Sequence, residues 1–248
     1  MDDELGCRMG RVEQMIRYAY WNTGSKGIVI GLSGGIDSAV AAAFCCRAVG
    51  PAKVFGLFLP SSVSNPADGE DVAALCRTLG MSHEVISIDP ILAGYRSISG
   101  FVETPYLLGN LMARTRMAVL YYYANREDRL VCGTSNKSEY LLGYCTKYGD
   151  NAADLQPILH LYKTDVYVVA RELGIPDQIL TKTPSAGLWE GQSDEAEIGL
   201  TYPEIDRSLR ALEGQEWQAR TPAETKVLAL VKKSVHKRQA APNLSAVL

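Results

Sequence analysis

Residues 27–44, Gly-Ile-Val-Ile-Gly-Leu-Ser-Gly-Gly-Ile-Asp-Ser-Ala-Val-Ala-Ala-Ala-Phe, constrain this chain more than any other stretch. Ile28 to Leu32 is a short apolar, β-branched run of strand length, and Ala39 to Ala48 is alanine-rich and helical in character. Ser33 to Ser38 joins them. A joint at the C-terminal end of a strand aims free backbone N–H groups and the positive end of a helix dipole at one point, which suits an anion. Gly34 and Gly35 let the backbone approach phosphate oxygens closely, and Ser33 and Ser38 add hydroxyl donors. Asp37 is the odd residue. A carboxylate inside a phosphate cradle repels the ligand unless a cation lies between them, so Asp37 points to Mg²⁺ bridging it to the phosphates.

Two familiar phosphate motifs are excluded by their spacing. The P-loop requires G-x-x-x-x-G-K-[ST], and no lysine follows Gly35; the dinucleotide fingerprint G-x-G-x-x-G is also absent. Ser-Gly-Gly-x-Asp-Ser resembles instead the pyrophosphate loop of the ATP pyrophosphatases, enzymes that split ATP between its α and β phosphates to adenylate a substrate.

A chain of 248 residues is long enough for one large α/β domain, burying about three quarters of its unfolded surface, and no second domain is apparent. The net charge is −3 with basic residues spread along the chain, so neither nucleic acid nor an acidic membrane is an expected partner. Apolar runs fall short of the roughly 18 residues that span a bilayer. The acidic start Met1-Asp-Asp-Glu is unlike a signal peptide. A soluble, cytoplasmic protein is the expectation. Cys7, Cys45, Cys46, Cys76, Cys132 and Cys145 form no C-x-x-C pair and read as reduced, mostly buried thiols. His83, His160 and His236 have no zinc-site spacing.

Taken in order, residues 3–23 place apolar side chains at helical spacing. Residues 53–60 read as a second strand, 66–79 as a helix and 83–88 as a third strand. Strands alternating with helices imply a parallel sheet with ligands at its C-terminal strand ends. Residues 89–108 read as irregular and lead into a long helix from about Gly109 to Asn125. Arg114 and Arg116 there lie about 200° apart around the axis, so either one faces the site and the other solvent or a partner, or both are surface arginines. A fourth strand, 129–133, delivers Thr134-Ser-Asn-Lys-Ser-Glu139 to the same rim as the phosphate loop, with Glu139 a second oxygen ligand for Mg²⁺. Thr134, Ser135 and Asn136 equally suit capping of the following helix. Lys163 opens another helix against its dipole, which points to an anionic partner; a solvated lysine satisfies the same spacing. Residues 180–193 have the length and glycine content of a mobile cover, and Asp194 with Glu197 reads as a capping box. A last helix, about Ala223 to Lys237, ends in a basic cluster that reads, taken alone, as a C-terminal cap.

Six stretches together resemble, in order, the motifs of the ammonia-dependent NAD synthetase family. They are Leu-Ser-Gly-Gly-Ile-Asp-Ser (32–38), Ala-Arg-Thr-Arg-Met (113–117), Gly-Thr-Ser-Asn-Lys-Ser-Glu (133–139), Thr-Lys-Tyr-Gly-Asp (146–150), Gln-Ser-Asp-Glu (192–195) and His-Lys-Arg (236–238). The resemblance implies one Rossmann-like α/β domain of the adenine nucleotide α hydrolase type, a parallel sheet with helices on both faces. It implies amidation of deamido-NAD with ammonia through an adenylate, giving NAD, AMP and pyrophosphate. By it, Gly31, Leu32, Ser33, Gly34, Gly35, Ile36, Asp37, Ser38, Thr134, Lys163 and Ser185 bind ATP. Asp37 and Glu139 hold Mg²⁺, and Asp37 and Lys163 carry the catalytic role. Arg114, Lys147, Asp154, His236 and Lys237 contact deamido-NAD, which makes Arg114 the inward arginine and gives the C-terminal cluster a ligand. Ser185 stands where relatives often have threonine. The family also implies a homodimer, and with no room here for a glutaminase domain, free ammonia or a separate glutaminase supplies nitrogen. Two rivals stand beside this reading: a thiolating pyrophosphatase using Cys132 or Cys145, and a nucleotide sensor without turnover.

Overall fold

The computed structural model describes residues 3–185, 187, 189 and 191–241. The first helix, α1 (Asp3–Thr23), leads to β1 (Gly27–Leu32), α2 (Ile36–Val49), β2 (Val54–Phe58), α3 (Ala67–Leu79) and β3 (Ser82–Val85). After β3 come α4 (Asp89–Tyr95), α5 (Pro105–Glu127) and β4 (Arg129–Cys132). The four strands are parallel, in the order β3-β2-β1-β4. The chain winds outward from β1 to β3 and then returns to the other side of β1. That reversal opens a crevice at the C-terminal ends of β1 and β4, where open parallel sheets bind ligands.

The period-2 alternation of β1 divides the core between the two faces. Ile28, Ile30 and Leu32 pack with Met9, Val12 and Ile16 of α1, with α2 and with Leu75 of α3. Val29 faces the other way, packing with Leu57, Met112, Tyr123 and Val131 under α5. Gly31 also faces α5, and a Cβ there would lie 3.3 Å from Leu120. Ala39 to Cys46 of α2 is buried throughout, as a helix that is apolar all round must be. Burying a side chain such as Phe44 contributes about 1.5–3 kcal/mol, so the element carrying the phosphate loop is anchored firmly.

The remaining helices are α6 (Lys137–Leu142), α7 (Lys163–Glu172), α8 (Asp177–Leu180), α9 (Asp194–Ile198), α10 (Tyr202–Gly214) and α11 (Pro222–Lys233). Leu142, Tyr162, Ile198, Tyr202, Ile205, Leu209, Val227 and Val231 form a further cluster that binds α6, α10 and α11 together beside the sheet. No helix among the described residues is long and apolar enough to cross a membrane.

Several boundaries differ from expectation. Residues 89–108 are not irregular throughout: α4 occupies 89–95, and α5 starts at Pro105 because the Thr104 hydroxyl accepts the Leu107 N–H at 3.2 Å and proline suits a first turn. The third strand begins at Ser82 and ends at Val85; Ile86 and Ile88 still donate to Phe58 and Pro60 carbonyls, but Pro60 has no N–H with which to continue the ladder. Thr221 and Pro222 start α11 in the same way as Thr104 and Pro105 start α5, and the helix stops at Lys233. Asp194 and Glu197 make no capping box: Ser193 holds the N-cap position without a side-chain bond, and both carboxylates turn to tertiary partners. The cover expected over 180–193 falls partly on positions 186, 188 and 190, outside the described residues.

Candidate active site

The phosphate loop takes its shape from its own small residues. Gly35, extended at φ −96°, holds the N-cap position of α2, so the helix starts at Ile36 and not at Ala39. The Ser38 hydroxyl donates to the Gly35 carbonyl at 2.9 Å and accepts from the Ser33 N–H at 3.3 Å, while Gly35 N–H reaches the Ser33 hydroxyl at 3.2 Å. Gly34 sits at φ +76°, and a Cβ there would meet the Asp68 backbone at 3.1 Å. Conformation and space both require glycine at that position. Leu32 and Ile36 bury their side chains in the core, so only their backbone faces the loop.

Asp37, on the first turn of α2, meets two residues from distant segments. Asn136 Nδ2 donates to Asp37 Oδ1 at 2.9 Å, and the Lys163 ammonium donates to Asp37 Oδ2. Asn136 also caps α6, its Oδ1 accepting the Glu139 N–H at 3.0 Å, so one amide caps the helix and bonds Asp37. Lys163 Nζ lies 3.2 Å from Glu139 Oε1. Its place at the start of α7 is set by Asp206 and Ser138: the Lys163 N–H donates to Ser138 Oγ at 2.9 Å and the Thr164 N–H to Asp206 Oδ2 at 2.8 Å. Within the chain itself the anionic partners of Lys163 are Asp37 and Glu139.

Charge is concentrated here in a water-poor place. Burial pushes the Glu139 carboxyl up to about 7 against the attraction of Lys163, with Asp37 and Asp194 adding to the rise. For Lys163 burial opposes the charge, but Asp37 and Glu139 outweigh it and hold the ammonium above the ordinary lysine value. Tyr202 donates to Asp194 Oδ2 at 3.0 Å and approaches Glu139 Oε1 at 3.4 Å. Sequence reasoning takes Asp194 for a helix cap and does not single out Tyr202, so neither is expected in this cluster. Asp194 lay inside a quoted motif, whereas no local pattern marked Tyr202.

Asp37 and Glu139 present carboxylate oxygens that converge on one ammonium. Hard oxygen donors carrying surplus negative charge fit Mg²⁺, which takes one or two carboxylates and completes its shell with water and phosphate oxygens. Among the described residues no group of three or more His, Cys, Asp or Glu is arranged to hold a metal by itself.

A second cluster forms where the 146–151 loop meets the C-terminal turn. Lys147 Nζ donates to the His236 carbonyl at 2.6 Å, Asn151 Nδ2 to the Lys237 carbonyl at 3.3 Å, and Arg114 Nε to the Lys147 carbonyl at 3.3 Å. Arg114, Lys147, His236 and Lys237 are thereby gathered from three parts of the chain. The Lys237 ammonium bonds the Gly143 and Cys145 carbonyls at 2.7 and 2.6 Å, and Arg238, rather than the lysines, caps α11 by donating to the Val231 carbonyl at 2.8 Å. Asp154 lies in the segment that pairs with the outer edge of β4, its N–H donating to the Val131 carbonyl at 2.9 Å and its carboxylate accepting the Val131 N–H at 2.7 Å and the Tyr121 hydroxyl at 3.4 Å. Tyr121 lies two turns along α5 from Arg114, on the same side. Thr134 is half-buried directly after β4, and the exposed Ser185 accepts the Gly187 N–H at 3.1 Å.

The sequence matches the NAD synthase family over residues 9–241. The NH(3)-dependent NAD(+) synthetase of Methanoregula boonei is 69% identical over 247 residues, covering 100% of both chains. Among solved structures, an NMN synthetase from Francisella tularensis is 38% identical with a TM-score of 0.85, the match covering 95% of this chain and 96% of that one. The NH3-dependent NAD synthetase from Campylobacter jejuni is 34% identical with a TM-score of 0.83, over 98% of this chain and 100% of that one. The match spans nearly the whole sheet and both clusters, and the chain belongs to the NAD synthase family.

Proposed function

We propose that the chain is an ammonia-dependent NAD synthetase. It amidates deamido-NAD: a nicotinate carboxylate oxygen attacks the α-phosphorus of ATP, the bond to the β-phosphate breaks, and pyrophosphate leaves. Ammonia then adds to the acyl carbon of the adenylate, the bond to AMP breaks, and one proton passes to solvent. A carboxylate accepts no nucleophile until its oxygen becomes a good leaving group, so positioning and charge neutralisation make up most of the enzyme's work. The observation that carries this reading is the meeting of Asp37, Glu139 and Lys163 beside a phosphate-shaped loop.

In this reading the N–H groups from Gly34 to Ser38 bind the phosphates, with Thr134 and Ser185 as further hydroxyl contacts. Lys163 neutralises charge that builds on the phosphates as the α–β bond breaks. Asp37 and Glu139 would hold Mg²⁺, which would screen the charge of the triphosphate. Arg114, Lys147, Asp154, His236 and Lys237 bind deamido-NAD. Exposed Leu107 and Tyr122 on α5, within about 80° of Arg114 around the helix, support assembly into a homodimer near that site. Free ammonia or a separate glutaminase supplies nitrogen, and the cytoplasm is the proposed location.

Purified protein given ATP, Mg²⁺, deamido-NAD and ammonium forms NAD in step with AMP and pyrophosphate, and omission of any component stops it. Nicotinate mononucleotide in place of deamido-NAD is the informative alternative acceptor, given the NMN synthetase likeness; faster turnover with it would move the substrate assignment. Lys147→Ala raises the KM for deamido-NAD about tenfold or more and leaves that for ATP within about twofold. Equal weakening of both would remove Lys147 from the dinucleotide site.

The thiolating alternative fares poorly. Cys132 is buried with its Sγ 3.5 Å from that of Cys45, and burial pushes the Cys145 thiol up to about 11, far from a reactive thiolate. Cys145→Ser therefore leaves NAD formation within about twofold. Loss of turnover on that substitution would revive sulfur chemistry.

A further inference from the structure

The two arginines of α5 part around the helix, but the more buried one is Arg116, not the Arg114 that the resemblance turned inward. Arg114 is exposed beside Lys147, while Arg116 is half-buried and its Nε donates to the Leu59 carbonyl at 2.9 Å, just past the end of β2. That bond fixes the guanidinium plane at the rim of the sheet, one strand from the phosphate loop. Among the described residues neither Nη1 nor Nη2 of Arg116 has a protein acceptor, and no carboxylate is within ion-pairing distance.

Three acids act on Arg116 from farther away: Asp150, Asp68 and Asp89, each on a different segment. All three are engaged elsewhere. Asp68 pairs with Lys182, Asp89 Oδ1 accepts the Ser62 N–H at 3.0 Å, and Asp150 accepts the Thr146 N–H at 2.8 Å. Asp68 also abuts Gly34, which puts the field around Arg116 in touch with the phosphate loop. Burial pushes the guanidinium below its ordinary value despite these acids. A cation drawn partly out of water without a partner is unfavourable in the free protein. The two unpartnered nitrogens present a planar fork of donors that matches phosphate oxygens.

We propose that Arg116 is a nucleotide-binding residue whose Nη1 and Nη2 bond the phosphate chain of ATP from the β2 side, across from the N–H groups of the loop at Gly34 to Ser38. This rests on the assignment of ATP to that loop. Arg116 thus shares the inward role that sequence resemblance gave to Arg114 alone, the first serving ATP and the second deamido-NAD.

Steady-state kinetics on Arg116→Gln and Arg116→Lys test it, with inorganic pyrophosphate as product inhibitor and Arg126→Gln, on the exposed end of α5, as control. Arg116→Gln raises the KM for ATP and weakens pyrophosphate inhibition by about tenfold or more, leaving the KM for deamido-NAD within about twofold. Arg116→Lys, which keeps the charge but not the fork, falls between. Unchanged ATP and pyrophosphate behaviour in a wild type that makes NAD overturns the proposal. So does an equal loss for both substrates together with a lowered melting temperature, which marks a purely structural role. Should Arg116→Gln not fold, Arg116→Lys decides by the same ratio. A wild type that makes no NAD refutes the functional reading instead, and pyrophosphate binding to wild type and Arg116→Lys, compared by calorimetry, then decides Arg116 separately.

Discussion

Lys163→Met lowers NAD formation by about a hundred- to a thousandfold and lowers the melting temperature as well. The side chain is only 4% exposed and bridges Asp37 and Glu139, offsetting their mutual repulsion, with Asp194 acting on it as a third acid. Removing one partner of a buried pair leaves the others charged and unpaired, which costs about 3–5 kcal/mol. For a chain of this size that is a fall of roughly 6–20 °C. The two effects separate in the double variant Lys163→Met/Asp37→Asn, which removes one of the stranded charges. Its melting temperature recovers in part while its turnover does not. Because Asp37→Asn lowers turnover on its own, the catalytic part is read from Lys163→Met alone, well below its melting temperature, where near-normal turnover would show that Lys163 serves the fold alone.

Asp37→Asn lowers turnover by about a thousandfold while the protein stays folded, and it raises the Mg²⁺ concentration needed for half-maximal rate by about tenfold or more. Asparagine keeps the size of the side chain and an oxygen that can accept from Asn136 Nδ2, and Lys163 retains Glu139. The loss is therefore of charge at one position, not of packing, and the fall in melting temperature is smaller than for Lys163→Met. Thermal denaturation beside a Mg²⁺ titration of initial rate reads both quantities. Near-normal turnover at the wild-type Mg²⁺ requirement would take Asp37 out of the metal site.

Both predictions depend on contacts that span the chain. Asp37 and Lys163 are 126 residues apart, and Asn136 lies 99 from Asp37. The parallel sheet makes these meetings possible, because β1 and β4 are neighbours and both deliver their following turns to one rim.

Local signals were readable from the sequence wherever local physics decides structure. The strand, glycine turn and helix of residues 27–49 follow from β-branched residues, two glycines and a run of alanines, and the alternation of strands with helices implied the parallel sheet. Asp37 stood out because a carboxylate is unexpected in a phosphate cradle. The starts of α5 and α11 are written in Thr104-Pro105 and Thr221-Pro222, ahead of the bounds expected for those helices. Other features were decided only when distant segments packed. Which arginine of α5 meets β2, why Lys163 tolerates a helix start, and that Asp194 abandons a cap for Tyr202 are outcomes of burial. A buried charge takes the partner that the fold brings within reach, and nothing in its neighbours along the chain names that partner.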